Sequence, residues 1–110
     1  MKRTILAAAL VTALAAALPA LAASPVYKGT VGPGFTISMA SKPTKAGTVK
    51  LVIADKANNH NFHLTGPGVN VMTSVSAVGV KTFTVNLKKG TYKFVCDPHA
   101  SFMKGSFTVK

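Results

Sequence analysis

Acidic residues and cysteine are the scarcest functional types in this 110-residue chain, which has only Asp55, Asp97 and the single cysteine Cys96. Arginine occurs once, at Arg3, and no segment after the first two dozen residues carries a sustained helical period. One cysteine excludes a disulfide within the chain, and it excludes any cluster that needs two thiolates. The lack of arginine after Arg3 argues against base readout in nucleic acid, which relies on bidentate Arg contacts. The lack of helical periodicity leaves strands as the building material, and no internal repeat is present.

At the amino end, Lys2-Arg3 precedes an Ala/Leu-rich run from Ile5 to Leu18, and Ala20-Leu21-Ala22 follows Pro19. A charged start, an apolar stretch and small residues at an Ala-x-Ala site predict a secretory signal peptide over residues 1–22. The competing reading is an uncleaved anchor, because the apolar stretch is nearly long enough to span a bilayer. The weak hydrophobicity of alanine, the interruption at Pro19 and the small residues at the cleavage positions favour removal. No cysteine follows the site directly, so lipid anchoring through a terminal cysteine is excluded. Residues 23–110 then form one small domain, expected in the periplasm or another extracytoplasmic space and not inserted in a membrane. Cysteines in such a compartment normally pair. A lone thiol persists there if it is deeply buried or held by a metal as thiolate. The mature part keeps eleven lysines against two aspartates, a net charge of +9, which favours acidic partners.

The mature chain alternates short period-2 runs with turn residues, the pattern of a β-sandwich or barrel. Strands are expected at Val26–Val31, Phe35–Met39, Thr48–Ala54, His60–Leu64, Val69–Val75, Thr82–Leu87, Thr91–Cys96 and Ser106–Lys110, making an all-β fold. Gly32-Pro33-Gly34, Gly66-Pro67-Gly68 and Lys88-Lys89-Gly90 are among the intervening turns. Parity places Val49, Leu51 and Ile53 on one face, and Tyr92, Phe94 and Cys96 on another. Within His60–Leu64 it turns His60 inward with Phe62 and Leu64, and turns Asn61 and His63 outward. Met39 and Met72 are expected in the core.

The chemistry concentrates between Lys93 and Gly105, where Cys96, His99 and Met103 fall within eight residues. A thiolate, an imidazole and a thioether are soft ligands that copper selects over hard cations. Pro98 and Gly105 bend the segment, so the side chains can converge from a loop. Taken singly, Cys96 would be a buried structural thiol and Met103 a gap filler. With the inward-turned His60 they make a His₂Cys trigonal set with a weak axial thioether.

Two blocks resemble the cupredoxins, the small blue copper proteins that include plastocyanin, pseudoazurin, amicyanin and azurin. One is His60-Asn61. The other is Tyr92-Lys-Phe-Val-Cys96-Asp-Pro-His99, followed by Met103-Lys-Gly105. The resemblance implies an eight-stranded Greek-key sandwich holding one copper ion per chain, cycling between Cu(I) and Cu(II), on His60, Cys96, His99 and Met103. It also implies that Asn61 ties the upstream ligand segment to the Cys96 loop, supporting the ligands from outside. The sequence departs from these relatives in its three-residue spacing between His99 and Met103, in Asp97 where they commonly carry a hydroxyl residue, and in having no acidic surface patch of the plastocyanin type.

The expected function is single-electron transport between redox proteins by a monomer, not catalysis. Pro98 and Phe102 are candidates for the rim where a partner with an acidic face docks. Copper delivery or sequestration on the same fold is the alternative. A copper nitrite reductase or multicopper oxidase would need more histidines than His60, His63 and His99.

Overall fold

The period-2 runs become strands because β-branched and aromatic residues on alternate positions give each strand one face to bury. A computed structural model describes residues 23–110, so the expected signal peptide at residues 1–22 lies outside the described residues. Eight strands form in order: β1 (Val26–Val31), β2 (Ile37–Met39), β3 (Gly47–Asp55), β4 (His63–Gly66), β5 (Val69–Met72), β6 (Gly79–Leu87), β7 (Gly90–Val95) and β8 (Lys104–Val109). They make two four-stranded sheets, ordered β2-β1-β3-β6 and β5-β4-β7-β8. β1 and β3 run parallel, and every other neighbouring pair is antiparallel. This is the expected all-β Greek-key sandwich. No helix among the described residues is long and apolar enough to cross a membrane.

The core lies between the sheets. Val49, Leu51 and Ile53 of β3, with Val85 and Leu87 of β6, meet Leu64, Tyr92, Phe94, Phe107 and Val109 of the opposite sheet. Phe62 stacks on Phe94 with centroids 5.4 Å apart, and Tyr92 stacks on Phe107 at 5.2 Å. The buried Tyr92 hydroxyl accepts from the Lys88 amide at 2.8 Å and has the carbonyls of Lys88 and Pro67 at 3.0 and 3.2 Å to donate to. A buried hydroxyl with these partners clamps two turns at one end of the sandwich.

At the other end, β7 and β8 hold the connection from Cys96 to Met103. Phe94 pairs opposite Gly105, and a Cβ at 105 would overlap the Phe94 ring. Gly105 therefore lets β8 approach β7 closely enough to close a short loop.

Several expectations change. Residues 60–62 are not strand, since β4 begins at His63. His60, Asn61 and Phe62 are all buried in succession, so Asn61 does not point outward as parity predicts. Strand alternation fails there because the segment is held by side-chain hydrogen bonds instead of a ladder. Met72 is half exposed, not core: it closes β5 on the face opposite the buried Val69 and the partly buried Val71. Phe35 lies outside β2 and is 62% exposed.

Candidate metal centre

Cys96 directly follows β7, and a short 3₁₀ turn over Asp97–His99 comes after it. Pro98 suits the start of such a turn because its fixed φ is helical and it has no amide to satisfy. The His99 amide donates to the Cys96 carbonyl at 3.0 Å, and the Met103 amide donates to the His99 carbonyl at 2.8 Å. The Cys96 amide donates back to the Met103 carbonyl at 3.0 Å. Cys96, His99 and Met103 are thus fixed relative to one another by backbone bonds within one loop.

His60 arrives from the segment before β4. The Phe62 amide donates to Thr73 Oγ1 at 2.8 Å, and the Thr73 amide donates to the Phe62 carbonyl at 2.9 Å. Asn61 joins this segment to the Cys96 loop. Its Nδ2 donates to Asp97 Oδ2 at 2.7 Å and to the Thr73 carbonyl at 3.3 Å, while its Oδ1 accepts the Asp97 amide at 2.7 Å. The Asn61 backbone amide points at Cys96 Sγ, 3.5 Å away.

The result is a triangle of donor atoms. His60 Nδ1 and His99 Nδ1 are 3.1 Å apart, and Cys96 Sγ lies 3.7 Å from the first and 3.5 Å from the second. A point equidistant from all three lies about 2 Å from each, the length of a first-row metal bond to imidazole nitrogen and slightly short for thiolate sulfur. These three are the group of potential ligands among the described residues whose donor atoms all fall within 4.8 Å of one another. His60 and Cys96 are fully buried, His99 is partly buried, and Met103 is buried in the same loop. A thiolate and two imidazoles match the ligand chemistry of a copper site.

The profile of copper binding proteins of the plastocyanin/azurin family matches residues 36–110. The chain belongs to this family, the cupredoxins. Among solved structures, this cupredoxin is similar to reduced rusticyanin, with a TM-score of 0.58 and 26% identity over 77% of this chain and 78% of that one. Rusticyanin from Thiobacillus ferrooxidans gives 0.57 at 27% identity, over 77% and 76% of the two chains. Auracyanin from the photosynthetic bacterium Roseiflexus castenholzii shares the fold, with a TM-score of 0.57 at 20% identity over 80% and 98%. Comparison with curated protein sequences gives no significant match. Copper is the cofactor of this cupredoxin, and the donor triangle fits it.

Around the triangle the cupredoxin places an aromatic cover. The Phe35 ring meets His60 edge-on at 5.5 Å, His99 at 5.1 Å and Phe102 at 5.8 Å, and Phe102 lies 5.5 Å from His99. Phe102 is 57% exposed and Pro98 is also exposed. The sequence reading missed Phe35 as a site residue. The available signal was a lone aromatic directly after Gly32-Pro33-Gly34, where a turn, not a strand, sets its direction. Thr73, which pins the His60 segment, was hidden in an expected strand.

His63 stays outside the triangle and meets Asp97 instead, with Nδ1 to Oδ1 at 2.8 Å. That hydrogen bond raises the His63 pKa above its ordinary value. Burial pushes Asp97 upward, but the Asn61 amide and His63 together outweigh it and hold the carboxyl low. Asp55 is different. Burial raises its pKa, offset in part by the Ala57 amide and by His60, and its Oδ2 is buried without a partner.

Proposed function

We propose that this cupredoxin is an exported one-electron carrier that takes an electron from one redox protein and passes it to another. In this reading His60, Cys96 and His99 would hold the copper strongly and the Met103 thioether would bind it weakly. The observation that carries it is the contrast in burial across the donor set. His60 and Cys96 are sealed from water, whereas His99 reaches toward the surface beneath Phe35 and Phe102. A dry site with one exposed edge suits electron passage, because fixed ligands and excluded water leave little to reorganise when the charge changes. Bound copper supplies the one-electron change. Cys96 provides a covalent thiolate whose charge the Asn61 amide draws on, the two imidazoles accept either oxidation state, and Phe35 and Phe102 exclude solvent.

Phe35, Pro98 and Phe102 form the apolar contact where partners dock, and the lysines steer an acidic partner toward it. The mature protein works as a monomer in the periplasm or an equivalent space. Mass spectrometry of the secreted chain is expected to find a start at Ala23 or Ser24, and recovery of Met1 in membranes would favour an anchor instead. The deciding experiment is the visible spectrum of the copper-loaded protein together with its electron-exchange rate. An intense thiolate-to-copper band with fast exchange supports the carrier. A weakly absorbing complex that hands copper to a chelator within seconds refutes it in favour of copper delivery.

A further inference from the structure

We infer that His63 and Asn70 are positioning residues: they lock the Asp97 carboxylate and, through Asp97 and Asn61, fix the hydrogen bond to the Cys96 sulfur that sets the reduction potential. The inference rests on the assignment of Cys96 as a copper ligand. Four contacts build the chain. His63 Nε2 faces Asn70 Oδ1 at 2.7 Å, and its Nδ1 faces Asp97 Oδ1 at 2.8 Å. Asp97 Oδ2 then accepts from Asn61 Nδ2 at 2.7 Å, and the Asn61 backbone amide meets Cys96 Sγ at 3.5 Å.

The strand pairing makes this arrangement specific. His63 sits opposite Val95 of β7, one residue before the thiolate, and opposite Met72 of β5 on its other side. Asn70 belongs to β5, so the His63 ring on β4 is held between β5 and the turn that follows β7. Both nitrogens of the His63 ring have a hydrogen-bond partner, Asp97 on one side and Asn70 on the other, so the ring is held at both ends. Each oxygen of Asp97 therefore has its own donor, one from His63 and one from Asn61. Asp97 is still 44% exposed, so without His63 the carboxylate is free to turn to solvent, leaving Asn61 held only by the Thr73 carbonyl and the Asp97 amide.

The direction of the effect follows from charge. A carboxylate beside the thiolate favours the more positive copper state, and a hydrogen bond from His63 that draws charge from the carboxylate opposes that. A well-placed Asn61 amide also withdraws charge from sulfur and disfavours Cu(II). Loss of His63 removes both influences, and both changes lower the potential.

The test compares His63→Ala, His63→Gln and Asn70→Ala with Lys50→Gln, which removes an exposed lysine charge on the other sheet. Two readouts are used: the reduction potential of the copper protein, and hydrogen exchange of the Asn61 backbone amide in the metal-free protein. His63→Ala is expected to shift the balance of the two copper states about tenfold toward Cu(II), a fall of ~59 mV for one electron, and to speed Asn61 exchange at least tenfold. His63→Gln, which keeps one N–H toward Asp97, is expected to restore slow exchange and only part of the potential. Asn70→Ala is expected to follow His63→Ala with a smaller shift. If His63→Ala matches Lys50→Gln in both readouts, the inference is overturned. If the potential falls while Asn61 exchange stays slow, His63 acts by charge alone and the positioning role is overturned. Should His63→Ala fail to fold, His63→Gln and Asn70→Ala are judged by the same two readouts. The exchange readout needs no copper, and failure of the carrier reading would appear separately, as a weakly absorbing complex that hands its copper to a chelator.

Discussion

Replacing Asn61 by alanine tests the joint between the two halves of the copper site. The change removes two bonds of 2.7 Å to Asp97, one to the carboxylate and one from the backbone amide, and a longer bond of 3.3 Å to the Thr73 carbonyl. Neutral bonds contribute about 1 kcal/mol each and those to charged groups about 2. The Asp97 carboxylate is 44% exposed, so solvent screening brings its share down to about 1 kcal/mol. Asn61 itself is buried, and a vacated amide site leaves the Thr73 carbonyl and the Asp97 amide short of partners. The expected loss is roughly 3 kcal/mol, out of about 4–13 kcal/mol for a domain of this size. Urea denaturation of the metal-free protein measures it, with a lower midpoint and an unchanged slope. A cycle with Asp97→Ala adds a sharper requirement. The two sites share one side-chain bond, so their coupling should be about 1 kcal/mol. A loss below ~1 kcal/mol for Asn61→Ala, or strict additivity in the cycle, would refute the view that this amide joins the ligand segments.

The other predictions concern metal, packing, pH and partners. Cys96→Ser is expected to abolish the intense colour, since a hydroxyl is not a soft covalent donor, and His60→Ala is expected to lose the colour or the metal; His63→Ala should stay coloured, as absorption spectra and metal analysis will show. Gly105→Ala drives a methyl into the Phe94 ring and should cost about 1–3 kcal/mol by overpacking, measured as a lowered thermal midpoint. For pH, Asp97 raises the folded pKa of His63 above 6.5, so the stability from that pair is complete below 6.5 and is lost as pH rises through the folded value. Thermal melts of the metal-free protein should therefore decline across that range, and His63→Gln should flatten the decline. Stopped-flow reduction by an acidic redox protein is expected to slow as salt rises, because the charge of +9 expected once residues 1–22 are removed steers over about a Debye length; an unchanged rate would leave the apolar rim as the sole recognition surface.

Much of this site is written locally. Cys96, His99 and Met103 share one loop whose backbone bonds span a few residues, so their spacing alone specified a soft-metal loop. The faces of β3 and β7 were equally legible, because period-2 burial needs only the strand's own alternation. The pairing of His60 with that loop was legible by parity, although the reason differed. His60 is buried by the Thr73 and Asp97 hydrogen bonds that hold residues 60–62 outside any strand. Those partners lie 11 to 36 residues away, and no local pattern encodes them. Met72 shows the same limit, since its exposure depends on the face that β5 presents at the edge of its sheet. Tertiary structure alone decided that Phe35 covers both histidines and that the outward-turned His63 meets Asp97. Sequence periodicity fixes which way a side chain leaves its own strand, and only the register between strands fixes what it meets.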